Sequence, residues 1–226
     1  MIPAYDAART VGAVVRGLHA GASAEHGPHA VLVVDDGSSD GTAEAAAAAG
    51  AEVLRHPTNR GKGAALATGL RRAAEIGARV AVTLDADGQH PAEEALRLLA
   101  DAAPEQSLVI GVRDLAAAGA PRANRISNGI SNFFLSLFVR QRLRDTQCGL
   151  RRYPVTATLA LGVVDQGYAF ESEVLLRARR AAMPIVERPI RVVYPALDGT
   201  THFDAVRDPA RIVRRVVATL LGPARR

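Results

Sequence analysis

The chain of 226 residues has no tryptophan, a single cysteine and only 4% aromatic residues. Each shortage removes a class of protein. One cysteine cannot build a disulfide framework or a cysteine-rich zinc cluster, and it suits a reducing compartment, so a cytoplasmic setting is expected. So few rings cannot supply the stacking platforms that hold single-stranded nucleic acid, and no nucleic-acid partner is expected. No apolar run reaches the ~18 residues of a membrane-spanning helix, and no secretory signal is visible, so the chain is expected to be soluble or peripheral to a membrane.

What is present suits a packed domain. Hydrophobic residues make up 48% of the chain, enough for a core in one ordinary domain or a little more. The 28 basic residues outnumber 23 acidic ones, giving a net charge of +5. Arginines gather in residues 122–152, 177–191 and from 207 onward. Such a bias suits a phosphate-rich ligand or an anionic membrane surface, and a solvated arginine-rich face gives the same count.

The segments "AVLVVDDGSSDGTAEAAAAAG", "RVAVTLDADGQHPAEEALRLLA" and "SLVIGVRD" read as buried strands, the first two running into helices. Strands alternating with helices of this length imply βαβ units and a mostly parallel, Rossmann-like sheet flanked by helices. "NRGKGAALATGLRRAAEIG" adds a glycine-bearing loop and a helix between the first two units. At the start, a clipped strand before Pro3 and its helix is expected. "RISNGISNFFLSLFVRQRL" and "DPARIVRRVVATLLGPARR" are amphipathic and basic, as core-facing helices are and as helices lying in membrane interfaces also are.

Asp85 and Asp87 stand one residue apart at the carboxyl end of a strand, the edge at which open α/β sheets bind ligands. With the Gln89 amide nearby, their oxygens suit Mg²⁺ or Mn²⁺, substrate phosphates and water filling the remaining positions. A structural turn is the competing reading. An EF-hand is excluded, because His90 and Leu96 stand where it needs glycine and glutamate. Asp35 and Asp36 end the first buried strand on the same edge, where a carboxylate accepts hydrogen bonds from ribose or base. "NRGKGAA" is not a Walker A loop: Gly63 follows the lysine and His56 stands at the first glycine position. Its glycines still let backbone approach a ligand, and Lys62 could meet a phosphate.

Taken in order, "IPAYDA", "VVDDGSSDGT", "NRGKGAAL", "LDADGQHP", "GVRD", "DTQCGLRRYP" and "YAFESEVLLRA" resemble the family 2 glycosyltransferases of GT-A fold, in particular the branch of dolichol-phosphate mannose synthases and glucosyltransferases. The resemblance implies a single GT-A domain over residues 1–226, with a nucleotide-sugar half (1–115) and an acceptor half (116–226) closed by the terminal amphipathic helix. It implies Asp85, Asp87 and Gln89 as metal-site residues for Mg²⁺ or Mn²⁺. Pro3, Ala4, Tyr5, Asp35, Asp36, Lys62, Asp85 and Ala86 would bind the nucleotide of a GDP- or UDP-linked sugar; Ala7 stands where the family often has glutamate. Arg113, Arg122, Arg125, Gln147 and Arg151 would serve phosphate or acceptor, and Asp145 and Glu173 would join Asp87 as catalytic residues.

The implied reaction is metal-dependent, inverting transfer of one sugar to a polyprenyl-phosphate lipid, by a protein peripheral at the inner face of the membrane. Without tryptophan the Q-x-x-R-W motif of processive polysaccharide synthases is absent, which favours single transfers. A lipid phosphate is already anionic, whereas a sugar, glycolipid or small-molecule hydroxyl would need Asp145 or Glu173 as base. A non-catalytic module for nucleotide or anionic lipid is the reading from another class, and the acidic cluster argues against it. His202 is expected at the donor site or an interface.

Overall fold

The computed structural model describes residues 1–22, 29–167 and 169–193. The terminal amphipathic helix and His202 lie outside the described residues.

The order is β1 (Ile2–Ala4), α1 (Val11–Ala20), β2 (Leu32–Asp35), α2 (Thr42–Ala48), β3 (Glu52–Arg55), α3 (Lys62–Glu75), β4 (Val80–Thr83), α4 (Ala92–Leu99), β5 (Leu108–Arg113), α5 (Arg122–Val139), β6 (Arg151–Pro154), α6 (Val155–Ala160), α7 (Phe170–Arg180) and β7 (Ile185–Ile190). Strands β1, β2 and β3 are parallel neighbours in that order. The second set runs β4-β6-β5-β7, with β6 antiparallel to both its neighbours and β7 parallel to β5. Two bonds join the sets: the Met1 amino group donates to Val82 O at 2.8 Å, and Leu84 N–H donates to Met1 O at 3.2 Å. The sheet is therefore continuous, with β1 beside β4 in parallel sense, and every described strand but β6 points the same way.

Pro3 lies inside β1, not at the start of a helix; α1 begins only at Val11. The register explains how a strand tolerates it. Met1 and Pro3 face β4, and β4 ends at Thr83, so Pro3 stands where no partner asks for an N–H. Strand β2 is buried throughout, and α1 turns Val11, Val14, Val15 and Leu18 inward at helical spacing. One cluster, including Ile2, Val33, Leu66, Leu84, Leu108, Val174 and Leu175, fills the space between sheet and helices.

Helix α5 departs from a core helix. Ser127, Asn128, Ser131, Leu135 and Val139 face inward, with α5 lying against α7. The other face leaves Ile126, Phe133 and Leu137 at 64%, 67% and 62% exposure, with Ile130 and Phe134 beside them. Phe133 and Phe134 meet edge to face on that surface. Arg122, Arg125 and Arg140 are exposed along the same helix.

Candidate active site

The carboxyl ends of β1, β2, β4 and β5 share one edge, and the loop entering the reversed strand β6 reaches the same edge. That topology brings Ala4 and Tyr5, Asp35 and Asp36, Asp85 and Asp87, Arg113 and residues 145–150 together.

On the β1–β2 side two loops are laced to each other. Asp6 N–H donates to Ser38 Oγ at 2.9 Å, Ala7 N–H to Thr42 Oγ1 at 2.8 Å, Ala8 N–H to Asp40 Oδ2 at 3.0 Å and Ser39 N–H to Asp6 Oδ1 at 3.1 Å. Burial opposes ionisation of Asp40, and the hydrogen bonds from Thr42 and Ala8 overcome it and lower its pKa. Asp35 is fully buried; its Oδ1 accepts the Ser38 amide at 3.0 Å, and Arg55 Nε lies 3.2 Å from its Oδ2. An open cleft of about 390 Å³, lined by Gly37, Ser38, Arg55, His56 and Pro57, adjoins it. Asp36, expected to touch the nucleoside, is taken up inside the protein. It accepts His56 Nδ1 at 2.6 Å, Arg60 N–H at 3.0 Å and Gly61 N–H at 2.7 Å, and so holds the "NRGKG" loop in place.

At the centre, Lys62, the first residue of α3, places its ammonium 2.7 Å from Asp85 Oδ1 and 3.3 Å from Glu171 Oε1. Burial would lower the Lys62 pKa, but the charges of Asp85 and Glu171 outweigh it and raise it. Burial would likewise raise Asp85, yet Lys62 with His90 and Arg113 holds it at about 2. Asp87 goes the other way: partial burial and the neighbouring Asp85 charge raise its pKa. Its Oδ1 accepts Gln89 N–H at 2.9 Å, closing the turn that presents the pair. Gln89 contributes main-chain bonds here, its carbonyl accepting Val193 N–H at 2.9 Å.

Gly149 is required behind Asp85, because a Cβ there would collide with the carboxylate. Thr83 Oγ1 fixes that glycine by donating to its carbonyl at 2.8 Å. His90, buried at 4% exposure, is kept below its usual pKa by burial, and its Nδ1 has no hydrogen-bond partner. Its Nε2 lies 3.8 Å from Cys148 Sγ, and burial pushes that thiol up to about 12. Cys148 is a packed side chain and not a nucleophile.

On the β5–β6 side three of the expected site residues are engaged within the protein. Asp145 is held by Arg113 through Nε–Oδ2 at 2.7 Å and Nη2–Oδ1 at 3.0 Å, by the Arg113 amide at 3.1 Å, and by Asn128 Nδ2 at 3.1 Å. A carboxylate so occupied aligns Arg113. Glu173 accepts Arg177 Nε at 2.6 Å and Asp165 N–H at 2.9 Å, pinning the segment before α7. Arg151 is wholly buried and donates to the carbonyls of Cys148, Glu171 and Thr146 at 2.8, 2.9 and 2.7 Å, so its guanidinium braces the interior and is not presented to a substrate phosphate. Gln147 donates to Ser131 Oγ at 2.9 Å and ties its loop to α5. Arg122 and Arg125 sit exposed on the first turns of α5, beyond Arg113.

Glu171 was missed. It and Glu173 lie two apart in "FESE", on different faces of α7, and nothing in the pattern marks the one that meets Lys62. Gly149 escaped for the same reason, since its need arises only when β6 inserts beside β4.

The model of the family described as "Glycosyl transferase family 2" matches residues 1–157. The chain belongs to that family and is a glycosyltransferase. It is 33% identical over 174 residues to an undecaprenyl-phosphate mannosyltransferase of Micrococcus luteus, covering 72% of this chain and 71% of that one. It is 28% identical over 217 residues to a UDP-N-acetylglucosamine–dolichyl-phosphate N-acetylglucosaminyltransferase of Methanococcus voltae, covering 86% and 84%. Glucosyl-3-phosphoglycerate synthase of Mycobacterium tuberculosis, solved with Mn²⁺, UDP and phosphoglyceric acid, superposes with a TM-score of 0.71 at 20% identity, over 97% of this chain and 75% of that one. The fold is GT-A, as the motif order implied.

Proposed function

We propose that this glycosyltransferase moves one sugar, with inversion, from a nucleoside-diphosphate sugar to a polyprenyl-phosphate lipid. The observation that carries the reading is the pair Asp85 and Asp87 at the lip of the sheet, flanked by the cations Lys62 and Arg113. Relatives named for undecaprenyl and dolichyl phosphates support the acceptor class.

The donor set fits a hard divalent cation. Both groups are carboxylates, and burial first and the neighbouring Asp85 charge second raise the pKa of Asp87, a penalty on its charged form that a cation would relieve. Among the described residues no three metal-binding side chains converge, so substrate oxygens would complete the coordination. Asp85 and Asp87 would hold Mg²⁺ or Mn²⁺, which would supply positive charge to the departing diphosphate. Lys62 adds a further cation on that side. Asp35, with Tyr5 and the loops laced around it, would seat the nucleoside.

A phosphate oxygen of the acceptor attacks the anomeric carbon as the bond to the diphosphate breaks, and one displacement inverts that centre. The nucleophile is already anionic, so no carboxylate need take a proton. That agrees with the engagement of Asp145 and Glu173 in structural ion pairs. Arg113, aimed by Asp145, and Arg122 and Arg125 beyond it would grip the acceptor phosphate. Residues 1–115 thus serve the donor and the later half serves the acceptor.

Helix α5 leads away from this edge with its apolar face open. Arginines beside exposed Phe133 and Leu137 suit an anionic bilayer surface, with the enzyme peripheral at the inner face. No helix among the described residues is long and apolar enough to cross a membrane.

The test is incubation with Mn²⁺ or Mg²⁺ and a panel of UDP- and GDP-sugars, with and without polyprenyl phosphate. Lipid-linked sugar of inverted configuration is expected. A water-soluble glycoside formed in its place would assign a hydroxyl acceptor, and donor turnover indifferent to the lipid would overturn the reading.

A further inference from the structure

Lys62 is held more elaborately than a lysine waiting for a phosphate requires. Its ammonium bonds the same Asp85 carboxylate that a divalent cation would need, and lies 3.3 Å from Glu171 Oε1. The three side chains come from α3, the exit of β4 and α7, at 18%, 30% and 8% exposure. Glu171 Oε1 is buried and makes no hydrogen bond, so the ammonium is its charge partner.

The backbone beneath Lys62 cannot follow a moving side chain. Ala64 N–H donates to Gln166 O at 3.0 Å. A Cβ on Gly63 would meet Asp165 O at 2.7 Å and Phe170 Cβ at 2.8 Å, so the first turn of α3 is pressed against the segment entering α7. The lysine side chain is left to swing, and among the described residues Asp85 and Glu171 are the carboxylates that its ammonium pairs with.

We propose that Lys62 is a resident counter-cation of Asp85 that makes occupancy of the divalent site conditional on the donor diphosphate, with Glu171 holding the ammonium once Asp85 is given up. This rests on the donor reading above. A divalent cation arriving alone meets an ammonium already on its ligand, and two cations on one carboxylate repel at short range. A cation arriving with the diphosphate brings several anionic oxygens, so Lys62 turns to these and to Glu171 and Asp85 is released. Metal and nucleotide then bind as a pair, each tightening the other by the same factor. Glu171 is a positioning residue in this scheme, acting through Lys62.

The experiment measures Mn²⁺ binding to the full chain by paramagnetic resonance of the free ion, without nucleotide and with saturating UDP or GDP. Wild type is expected to bind Mn²⁺ weakly alone and at least about tenfold more tightly with the nucleotide that binds. Lys62→Met is expected to tighten nucleotide-free Mn²⁺ binding about tenfold while shrinking the gain from nucleotide, and Glu171→Gln to weaken nucleotide-free binding further. Unchanged or weaker nucleotide-free binding in Lys62→Met overturns the inference, and wild-type behaviour in Glu171→Gln removes Glu171 from it. Should Lys62→Met fail to fold, Lys62→Gln takes its place, and nucleotide-free Mn²⁺ binding no tighter than in wild type overturns the proposal. If neither nucleotide binds, the donor reading itself falls and takes the conditionality with it; if one binds and Lys62→Met has no effect, only this inference falls.

Discussion

Replacing Gly149 by alanine isolates the placement of Asp85 from its charge. Gly149 has no positive φ, so alanine meets no backbone strain there. The new Cβ would collide with Asp85 Oδ2 and stand 2.8 Å from Oδ1 and 2.9 Å from Cγ, whereas ordinary contact begins at 3.4 Å. The glycine cannot retreat, because Thr83 Oγ1 holds its carbonyl at 2.8 Å and Arg151, two residues on, pairs with Thr83 in the sheet. The carboxylate must therefore back away by at least about half an ångström, beyond the ~0.2 Å tolerance of a metal–oxygen distance. A loss of about tenfold in Mn²⁺ affinity in the presence of nucleotide corresponds to ~1.4 kcal/mol. A reacting centre misplaced by this order costs about 10- to 100-fold in turnover. The assays are Mn²⁺ titration with nucleoside diphosphate, nucleoside-diphosphate release, and thermal unfolding, which should move by only a few degrees. Wild-type Mn²⁺ affinity in a folded Gly149→Ala protein would refute the geometry.

Asp145→Asn removes the carboxylate that pairs with the Arg113 guanidinium, which is 14% exposed. Breaking such a buried pair costs about 3 kcal/mol or more, so the thermal midpoint should drop by at least about 6 °C; a pure loss of kcat at unchanged midpoint would assign Asp145 the role of base. As pH falls, Asp87, raised by burial and the Asp85 charge, takes up its proton first while Asp85 stays ionised down to about 2. Metal affinity should accordingly fall with one proton per ion, and a two-proton slope would contradict the assignment. For stability the sign is opposite at the two groups. The Asp85 ion pair stabilises above the ordinary value of 3.8 and its contribution is lost as pH falls toward 2, whereas ionising Asp87 costs stability as pH rises through its range. Phe133→Asp with Leu137→Asp, at positions 67% and 62% exposed, should abolish sedimentation with anionic liposomes at low salt and leave the thermal midpoint within a few degrees; retained binding would move the membrane contact elsewhere.

The parts legible in the sequence are those set by local pattern. Runs such as "VLVVDD" and "VAVTLDAD" give away both that a strand is buried and which edge its aspartates occupy, because apolar β-branched residues end abruptly in carboxylates. Strand β6 escaped because its first two residues are arginines. Their burial makes sense only with the carbonyls that receive them: those of Cys148, Glu171 and Thr146 for Arg151, and those of Asp101, Ala103 and Pro104 for Arg152. The same holds for Asp36, Asp145 and Glu173. Carboxylates beside a site look alike in a motif, and it is partners 4 to 32 residues away, such as Arg177 for Glu173 and Arg113 for Asp145, that show which one holds the wall. Helix α5 shows the converse. Its greasy positions were plain, but the small polar residues Ser127, Asn128 and Ser131 turn inward and leave Phe133 and Leu137 outside.

The central claim, a cation held between Asp85, Asp87 and a donor diphosphate, is tested most directly by calorimetric titration of UDP and GDP into wild type and Asp87→Asn, each with and without Mn²⁺. The account predicts nucleotide binding that Mn²⁺ strengthens at least about tenfold in wild type and leaves unchanged in Asp87→Asn. Equal strengthening by Mn²⁺ in both proteins would contradict it.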